Sequence, residues 1–430
     1  MNRAKVHLVE RLKWGEDILA LTVFFTMVFI PAFETFARIV NFRGIPASPV
    51  LVQHLTLWIG FLGAILAARQ NKLIALTTTP LFSIDEQFQF GRWLAKVVSF
   101  VVVLTLMWGS WVLVKIEFAF PVDIAPNIPR WFTQTVMPLS FGLIAVQILI
   151  KSTNNNLYRA SILMMALLWI IIGLTGAFQD DYWLKWIGLG ILCISVLYGA
   201  PIFVGLGGVA ILFFWGDFTP MSAIPAEMYR IVVSPTLPTI PLFTLAGYIL
   251  AESGASQRMV DVFSSTFGWI KGGTPVVVVL LCGFFTALTG GSGVTILALG
   301  GLLYPLLRKS GYSELFSLGL ITVSGSLGLL FPPSLPAIIY SVTAGVSVKS
   351  VFIAGLIPGT LLVVFVAGWA IFIGGKERIK VQSFQWDSAL KTLWIAKWEM
   401  VIPVLILFGV FGGFTTLVET AAITVVYILI

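Results

Sequence analysis

The chain has 430 residues, 58% of them hydrophobic and only 10% charged, with a formal net charge of +7 and a mean hydropathy of +0.99. No soluble domain hides that much apolar surface, so the composition excludes one and points to a polytopic membrane protein, in which positive charge marks topology and not nucleic-acid binding. Two Cys (Cys193, Cys282) lie in apolar runs and only two His (His7, His54) occur, which argues against a disulfide framework, a zinc site and most histidine metal chemistry.

In chain order, a first unit (1–156) carries four span-like segments near 17–38, 50–68, 96–116 and 133–151. The basic, amphipathic start leads into a span-length apolar run without a small-residue cleavage site, so it reads as an uncleaved arm and not a signal peptide. Arg3, Lys5, Arg11 and Lys13 of this arm, Arg69, Lys72, Arg92 and Lys96 of the second loop, and Lys151 and Arg159 of the fourth fall on one side. Arg38, Arg43, Lys115 and Arg130 fall on the other. The excess on the first side predicts a cytoplasmic N-terminus. The stretch Asp85 to Arg92 reads as a polar, aromatic segment at the interface, and Glu34 as the intrahelical partner of Arg38.

A connector (157–181) supplies one further span near 160–178 and leaves the chain outside at the acidic Gln179-Asp180-Asp181. The second unit (182–430) opens with Gly-rich apolar segments at 183–199 and 200–215, then an amphipathic piece from Ala223 to Val233. A proline-rich entry leads to a span ending at Ala251 to Gly254, followed by an interfacial helix over 256–270. Beyond the centre of this unit, Pro358-Gly359 opens a long span to about Ile373. The basic segment Lys376 to Glu399 then predicts a membrane-surface helix anchored by Trp386, Trp394 and Trp398.

That centre runs from Gly283 to Tyr340. Two apolar runs, each short for a crossing of roughly 20 residues, meet at Thr289-Gly290-Gly291-Ser292-Gly293. A third is broken at Phe331-Pro332-Pro333-Ser334, since proline cannot donate to the helix ladder. Irregular backbone at membrane depth is tolerated only inside protein or along a watery cavity, and interrupted helices are the best sequence pointer to a secondary transporter's site. Half-helix N-termini suit an anion, and unwound carbonyls with the hydroxyls of Thr289, Ser292 and Thr295 suit a hard cation such as sodium. The competing readings are tight packing of small residues at the tip and a packing kink at the prolines. Glu419, beside Thr415, Thr416 and Thr420, reads as a helix cap or as a functional acid. With no Walker lysine motif, an ion gradient is the expected energy source.

Several motifs carry a family resemblance. They are Gly311-Tyr312, the run Gly325 to Ser334 (GSLGLLFPPS), Tyr340, Ala354 to Gly359 (AGLIPG), and Phe414 to Thr420. In the last, Leu417 and Val418 stand where Pro and Thr are usual. With a four-span N-terminal unit similar in layout to a small subunit (Leu62-Gly63-Ala64, Ala68-Arg69; Leu73-Ile74 where His-Ile is frequent), the chain resembles a fused membrane component of a tripartite ATP-independent periplasmic (TRAP) transporter.

The resemblance implies an all-α polytopic fold of the elevator type, with a helical hairpin, a broken helix and the four-helix unit fused N-terminally. It implies sodium-coupled uptake of a small organic anion, such as a C4-dicarboxylate or sialic acid, across a bacterial inner membrane, with a periplasmic substrate-binding protein as partner and no enzymatic chemistry. Carried over by position, Thr289, Ser292, Gly293, Phe331, Pro332 and Ser334 belong to a sodium site, and Gly291, Ser292, Pro333 and Ser334 to the substrate site. Nothing in the sequence matches the family's inverted second half, so the substrate site is expected to be half present, completed by residues after Ile430 or by a second chain. A stand-alone sodium–dicarboxylate symporter and a non-transporting membrane scaffold are the competing functions.

Overall fold

The computed structural model describes residues 3–76, 87–152, 156–175, 182–270, 272–376 and 384–430. The first half is built from α1 (Arg3–Ile39), α2 (Ser48–Arg69), α3 (Gln87–Ala119), a short hairpin of β1 (Asp123–Ala125) and β2 (Ile128–Pro129), α4 (Arg130–Gln134), α5 (Val136–Ser152), α6 (Asn156–Thr175), α7 (Tyr182–Leu197), α8 (Ile202–Gly216) and α9 (Ala223–Val232). The second half follows as α10 (Thr239–Glu252), α11 (Ala255–Phe267), α12 (Gly273–Thr289), α13 (Ser292–Lys309), α14 (Glu314–Leu327), a 3₁₀ turn (Gly328–Leu330), α15 (Leu335–Ala344), α16 (Val348–Lys376), α17 (Trp386–Ile395), α18 (Lys397–Gly412) and α19 (Leu417–Leu429). Among the described residues, six helices are long and apolar enough to cross a membrane, and two pairs of helices reach that length and hydropathy only together, bent at a short break: α14 with α15 at 44°, and α17 with α18 at 66°. The protein is an all-α polytopic membrane protein.

Contacts gather the chain into two compact units, one of residues 1–25 and 53–233, the other of 26–52 and 234–430. In the first, α3 is the central helix, packed by α5, α6, α7, α8 and α9. Val103, Met137, Ile162 and Val204 from four of these helices are fully buried in one cluster with Leu57 of α2. Three indole N–H groups find partners there, as a bilayer setting favours. Trp58 Nε1 donates to the Thr133 carbonyl at 3.1 Å, Trp93 Nε1 to Ser161 Oγ at 2.9 Å, and Trp169 Nε1 to Thr105 Oγ1 at 3.1 Å.

Basic groups that the loop-charge pattern assigns to one side meet at one end of this unit. Arg69 pairs with Glu16 at 2.9 Å and with Asp17 and donates to the Lys13 carbonyl, while Lys151 donates to the Ala68 carbonyl at 2.9 Å. Arg130 and Glu117, 2.8 Å apart, belong to the opposite helix ends. The side chains of residues 1–12, Asp85, Glu86, residues 153–155, the Gln179 to Asp181 exit and linker residues 377–383 lie outside the described residues.

Three local expectations need correction. The aromatic stretch before Arg92 is no separate interfacial segment from Gln87 onward: it forms the first turns of α3, because no proline lies between Gln87 and Ala119. The span expected to open at Pro358 begins ten residues earlier, at Val348, and Pro358 lies inside it. The glycines flanking that proline explain why the helix carries on: a Cβ on Gly355 would lie 2.5 Å from the Leu330 carbonyl oxygen, and one on Gly359 3.1 Å from Leu330 and the Phe331 ring, so the helix is held against the break. Finally, Arg38 does not pair with Glu34. Glu34 accepts from the Ile45 N–H at 3.0 Å, closing the turn after α1, and Arg38 reaches the buried carboxylate of Glu419.

The second unit is built around α12, which packs on α10, α11, α13, α14 and α16. Its sequence GTPVVVVLLCGFFTALT is apolar on every side, and a helix of that kind belongs in an interior. Val277, Val278, Val279, Leu281, Cys282 and Phe285 are all fully buried. Their β-branched run is a poor intrinsic helix former, so packing overrides propensity here. Toward its surface, α17 exposes Trp386 and Trp394, with Trp398 exposed just after the bend. Lys397 Nζ lies 4.0 Å from the Trp394 ring centroid, a cation–π contact of the kind that suits a membrane interface.

Candidate functional site

The tip is a two-residue turn between antiparallel half-helices. Gly290 ends α12 in the left-handed region (φ +68°), donating to the Thr286 carbonyl at 2.8 Å, and extended Gly291 (φ −136°) precedes α13. Glycine is required at 290 twice over: its φ favours no side chain, and a Cβ would lie 2.0 Å from Leu335 Cγ. Leu335 opens α15, directly after the proline break. The tip and the break, 40-odd residues apart in sequence, are therefore in van der Waals contact.

Three hydroxyls tie the hairpin together beneath the tip. Thr295 Oγ1 lies 2.8 Å from Thr289 Oγ1 and 2.9 Å from Thr286 Oγ1, all three buried. Thr286 Oγ1 is also 3.0 Å from the Gly325 carbonyl, which carries the network onto α14. The same helix approaches the tip closely, since a Cβ on Gly325 would lie 2.8 Å from Ile296 Cγ1 and 3.4 Å from the Ser292 carbonyl. Beside it the Ser324 hydroxyl is fully buried with no hydrogen-bond partner among the described residues. Buried orphan hydroxyls are costly, so Ser324, next in sequence to the Gly325 whose carbonyl meets Thr286, is a feature here that needs an explanation.

The break itself comprises the 3₁₀ turn, an extended Phe331, a cis Pro332–Pro333 peptide and Ser334. Ser334 is buried and committed: its Oγ donates to the Leu329 carbonyl and accepts from Ala337 N at 3.4 Å, capping α15. Phe331, Pro332 and Pro333 line an apolar cavity of about 290 Å³, walled also by Gly283, Phe284 and Ala287 of α12 and by Ile406 of α18. We expect Ser334→Ala to cost about 1 kcal/mol, the usual price of a lost N-cap, read as lower thermal stability in detergent.

Of the residues picked out from sequence, the fold brings Thr289, Thr295 and the main chain of Ser292 together with the broken helix. Pro333 lines the apolar cavity, which Gly291, Ser292 and Gly293 do not, and Gly293 is exposed with open space around its Cα. Ser292, Gly293 and Val294 hold the first-turn amides of α13, which has no side-chain cap at Gly291. Thr286 and Gly247 were missed. Thr286 lies three residues before Thr289 and so on the same helix face, a spacing that could have revealed it. Gly247 of α10 had no such signal: a Cβ there would lie 2.8 Å from Thr289 N, a contact only the packed fold creates.

Glu419 resolves as a capping residue with a second task. Its Oε2 accepts from Thr416 N at 2.7 Å while its own N–H donates to Thr416 Oγ1 at 3.2 Å, a reciprocal capping box at the start of α19. The same buried carboxylate pairs with Arg38, so α1 is tied to α19 within the second unit. Among the described residues, no group of three His, Cys, Asp or Glu is placed to hold a metal ion.

Comparison with known proteins adds a family to this geometry. A family model described as the DctM component of tripartite ATP-independent periplasmic transporters matches residues 189–430, and one for the DctQ component matches residues 27–155. The isethionate TRAP transporter permease protein DctMQ of Oleidesulfovibrio alaskensis is 26% identical over 419 residues, covering 94% of this chain and 66% of that protein. The C4-dicarboxylate TRAP transporter large permease protein DctM of Vibrio cholerae is 34% identical over 54% of this chain and 52% of its own length. The ectoine TRAP transporter large permease protein TeaC of Halomonas elongata is 30% identical, over 54% of this chain and 55% of its own length. The chain thus spans between 52% and 66% of the length of these curated relatives.

Proposed function

Because the chain belongs to the tripartite ATP-independent periplasmic transporter permeases and matches both their DctQ and DctM components, we propose that it takes up a small organic anion together with sodium, using substrate delivered by a periplasmic binding protein. The observation that carries this reading is the docking of the Gly290-Gly291 tip against the proline break, with the hydroxyls of Thr286, Thr289 and Thr295 gathered beneath it and linked to the Gly325 carbonyl. Hard cations are bound by oxygen ligands, and this cluster offers hydroxyl oxygens with the Gly325 and Gly291 carbonyls close by. In this reading Thr289 and the Ser292 main chain contribute to the sodium site, and Ser334, with Phe331 and Pro332, shapes it through the cap of α15.

The free amides at the start of α13 supply the positive end of a helix dipole for the anion's carboxylate or sulfonate. The apolar cavity beside Pro333 accepts the carbon skeleton, since its wall offers no charge. An elevator-type motion of this hairpin region against the rest of the permease completes the cycle. The membrane is a bacterial inner membrane, and the basic end of the first unit faces the cytoplasm. Isethionate, C4-dicarboxylates and ectoine, the solutes in the relatives' names, join sialic acid as the first compounds to test.

The test is uptake into proteoliposomes reconstituted from the complete reading frame, with these labelled solutes, an inward sodium gradient, and the binding protein present or absent. Uptake that requires both the gradient and the binding protein is the expected result. Uptake without the binding protein establishes the stand-alone symporter instead, and uptake indifferent to sodium removes the cation from the site.

A further inference from the structure

A second cavity, of about 340 Å³, lies wholly within the first unit. Its walls come from the end of α2, the start of α3, the end of α5 and the turn between α7 and α8. Arg92, Lys96 and Lys151 line it, and no carboxylate does so among the described residues. The contrast with neighbouring Arg69 is informative, because Arg69 is matched by Glu16 and Asp17.

The two lysines are held in place without being neutralised. Lys96 Nζ donates to the Ser152 carbonyl at 2.6 Å, and Lys151 Nζ to the Ala68 carbonyl at 2.9 Å and to Asn71 Oδ1 at 3.2 Å. Carbonyl dipoles fix the position of an ammonium but leave its unit charge standing. Arg92 has no hydrogen-bond or ion-pair partner among the described residues, so its guanidinium donors are open. A further polar group is left over, since Gln147 Oε1 is buried at the cavity wall and unpartnered. Its amide presents either an acceptor or two donors after a half-turn. Three positive charges and an idle amide around one cavity call for an anion with several acceptor oxygens, and phosphate matches that donor set.

The surroundings select the source of the phosphate. Tyr198 lines the cavity, Ile74, Leu76 and Phe90 stand within two residues of lining positions in the chain, and all four large side chains are exposed. A free anion gains nothing from such a rim, whereas acyl chains and glycerol do. Basic pockets between helix ends at a membrane face are suited to anionic lipid head groups. We propose that this cavity binds the phosphate of an anionic phospholipid, with Arg92 as the residue that recognises it and Lys96, Lys151 and Gln147 completing the cradle.

Arg92→Gln is the discriminating variant, because Arg92 supports no other described contact and its loss leaves the helix ends capped. Native mass spectrometry of the full chain in detergent, titrated with phosphatidylglycerol or phosphatidylcholine, reads the lipid retained. We expect wild type to hold phosphatidylglycerol in preference to phosphatidylcholine. Arg92→Gln lowers the apparent affinity for phosphatidylglycerol about fivefold, the weight of one basic residue at a charged membrane surface, and leaves phosphatidylcholine unchanged. Arg92→Glu lowers it further, and unaltered melting of both variants shows that the fold persists. Equal retention of phosphatidylglycerol by wild type and both variants overturns the proposal. So does displacement of the lipid by millimolar inorganic phosphate, which identifies a site for a soluble anion.

Discussion

Gly328→Ala is expected to abolish uptake while Gly319→Ala, on the helix that leads into it, leaves uptake near wild type. A Cβ on Gly328 would lie 2.3 Å from the Gly283 carbonyl oxygen and 2.6 Å from Ala287 N. Both atoms are main chain of α12, a helix buried on nearly every side, so neither can step aside. The added methyl must instead lift the 3₁₀ turn and the end of α14 off the hairpin. That movement breaks the Thr286–Gly325 hydrogen bond and draws the proline break away from the tip. Overpacking of this type costs about 1–3 kcal/mol, and the immovable backbone places this case at the upper end. A Cβ on the exposed Gly319 of α14, by contrast, meets nothing within 4 Å. Uptake by the complete permease, normalised to protein in the membrane, checks both variants. Wild-type transport by Gly328→Ala would show that the close contact between break and hairpin is dispensable.

Thr295→Val is expected to raise the sodium concentration needed for half-maximal uptake by about tenfold or more, with Thr295→Ser restoring it. Valine keeps the shape of threonine and removes the oxygen that lies between Thr286 and Thr289. A lost buried hydrogen-bond partner costs about 1–3 kcal/mol, and 1.4 kcal/mol is a tenfold change in a binding constant. The structural and the cation-binding roles of this hydroxyl separate in the measurement. A role in packing alone lowers melting temperature and leaves sodium activation at saturating substrate unchanged; a role at the cation shifts the activation curve. If Thr295→Val activates with sodium as wild type does, the hydroxyl cluster is a helix-packing device and the sodium site lies elsewhere.

Much of the architecture is legible residue by residue. Gly290-Gly291, at the meeting of two short apolar runs, and the consecutive Pro332-Pro333 are punctuation, and the hairpin turn and the bent helix pair appear where they stand. The run before the tip, short for a crossing, is α12, and its uniform apolar sequence lies buried. The Thr416–Glu419 box is likewise visible as a local motif, because all its atoms lie within four residues. Local sequence fails where a helix boundary depends on a distant neighbour. Pro358 looks like the start of a helix, yet α16 passes through it because Gly355 and Gly359 fit against Leu330 and Phe331. Arg38 has an acid four residues away in Glu34, the spacing of an intrahelical pair, and takes a carboxylate 381 positions later in the chain.

By itself the sequence determined the membrane class, the helix inventory, the two interruptions and the family motifs, because each of these depends on composition or on neighbours within one or two helical turns. Only the tertiary structure decided that tip and break touch, that Thr286 joins Thr289 and Thr295, that Ser334 is spent on a cap, and that Arg92, Lys96 and Lys151 share one cavity. The reason is physical. A hydroxyl or a cation takes whichever partner the packed helices bring within about 3 Å, and in a low-dielectric interior that choice is made by distance in space, on which separation along the chain has no bearing.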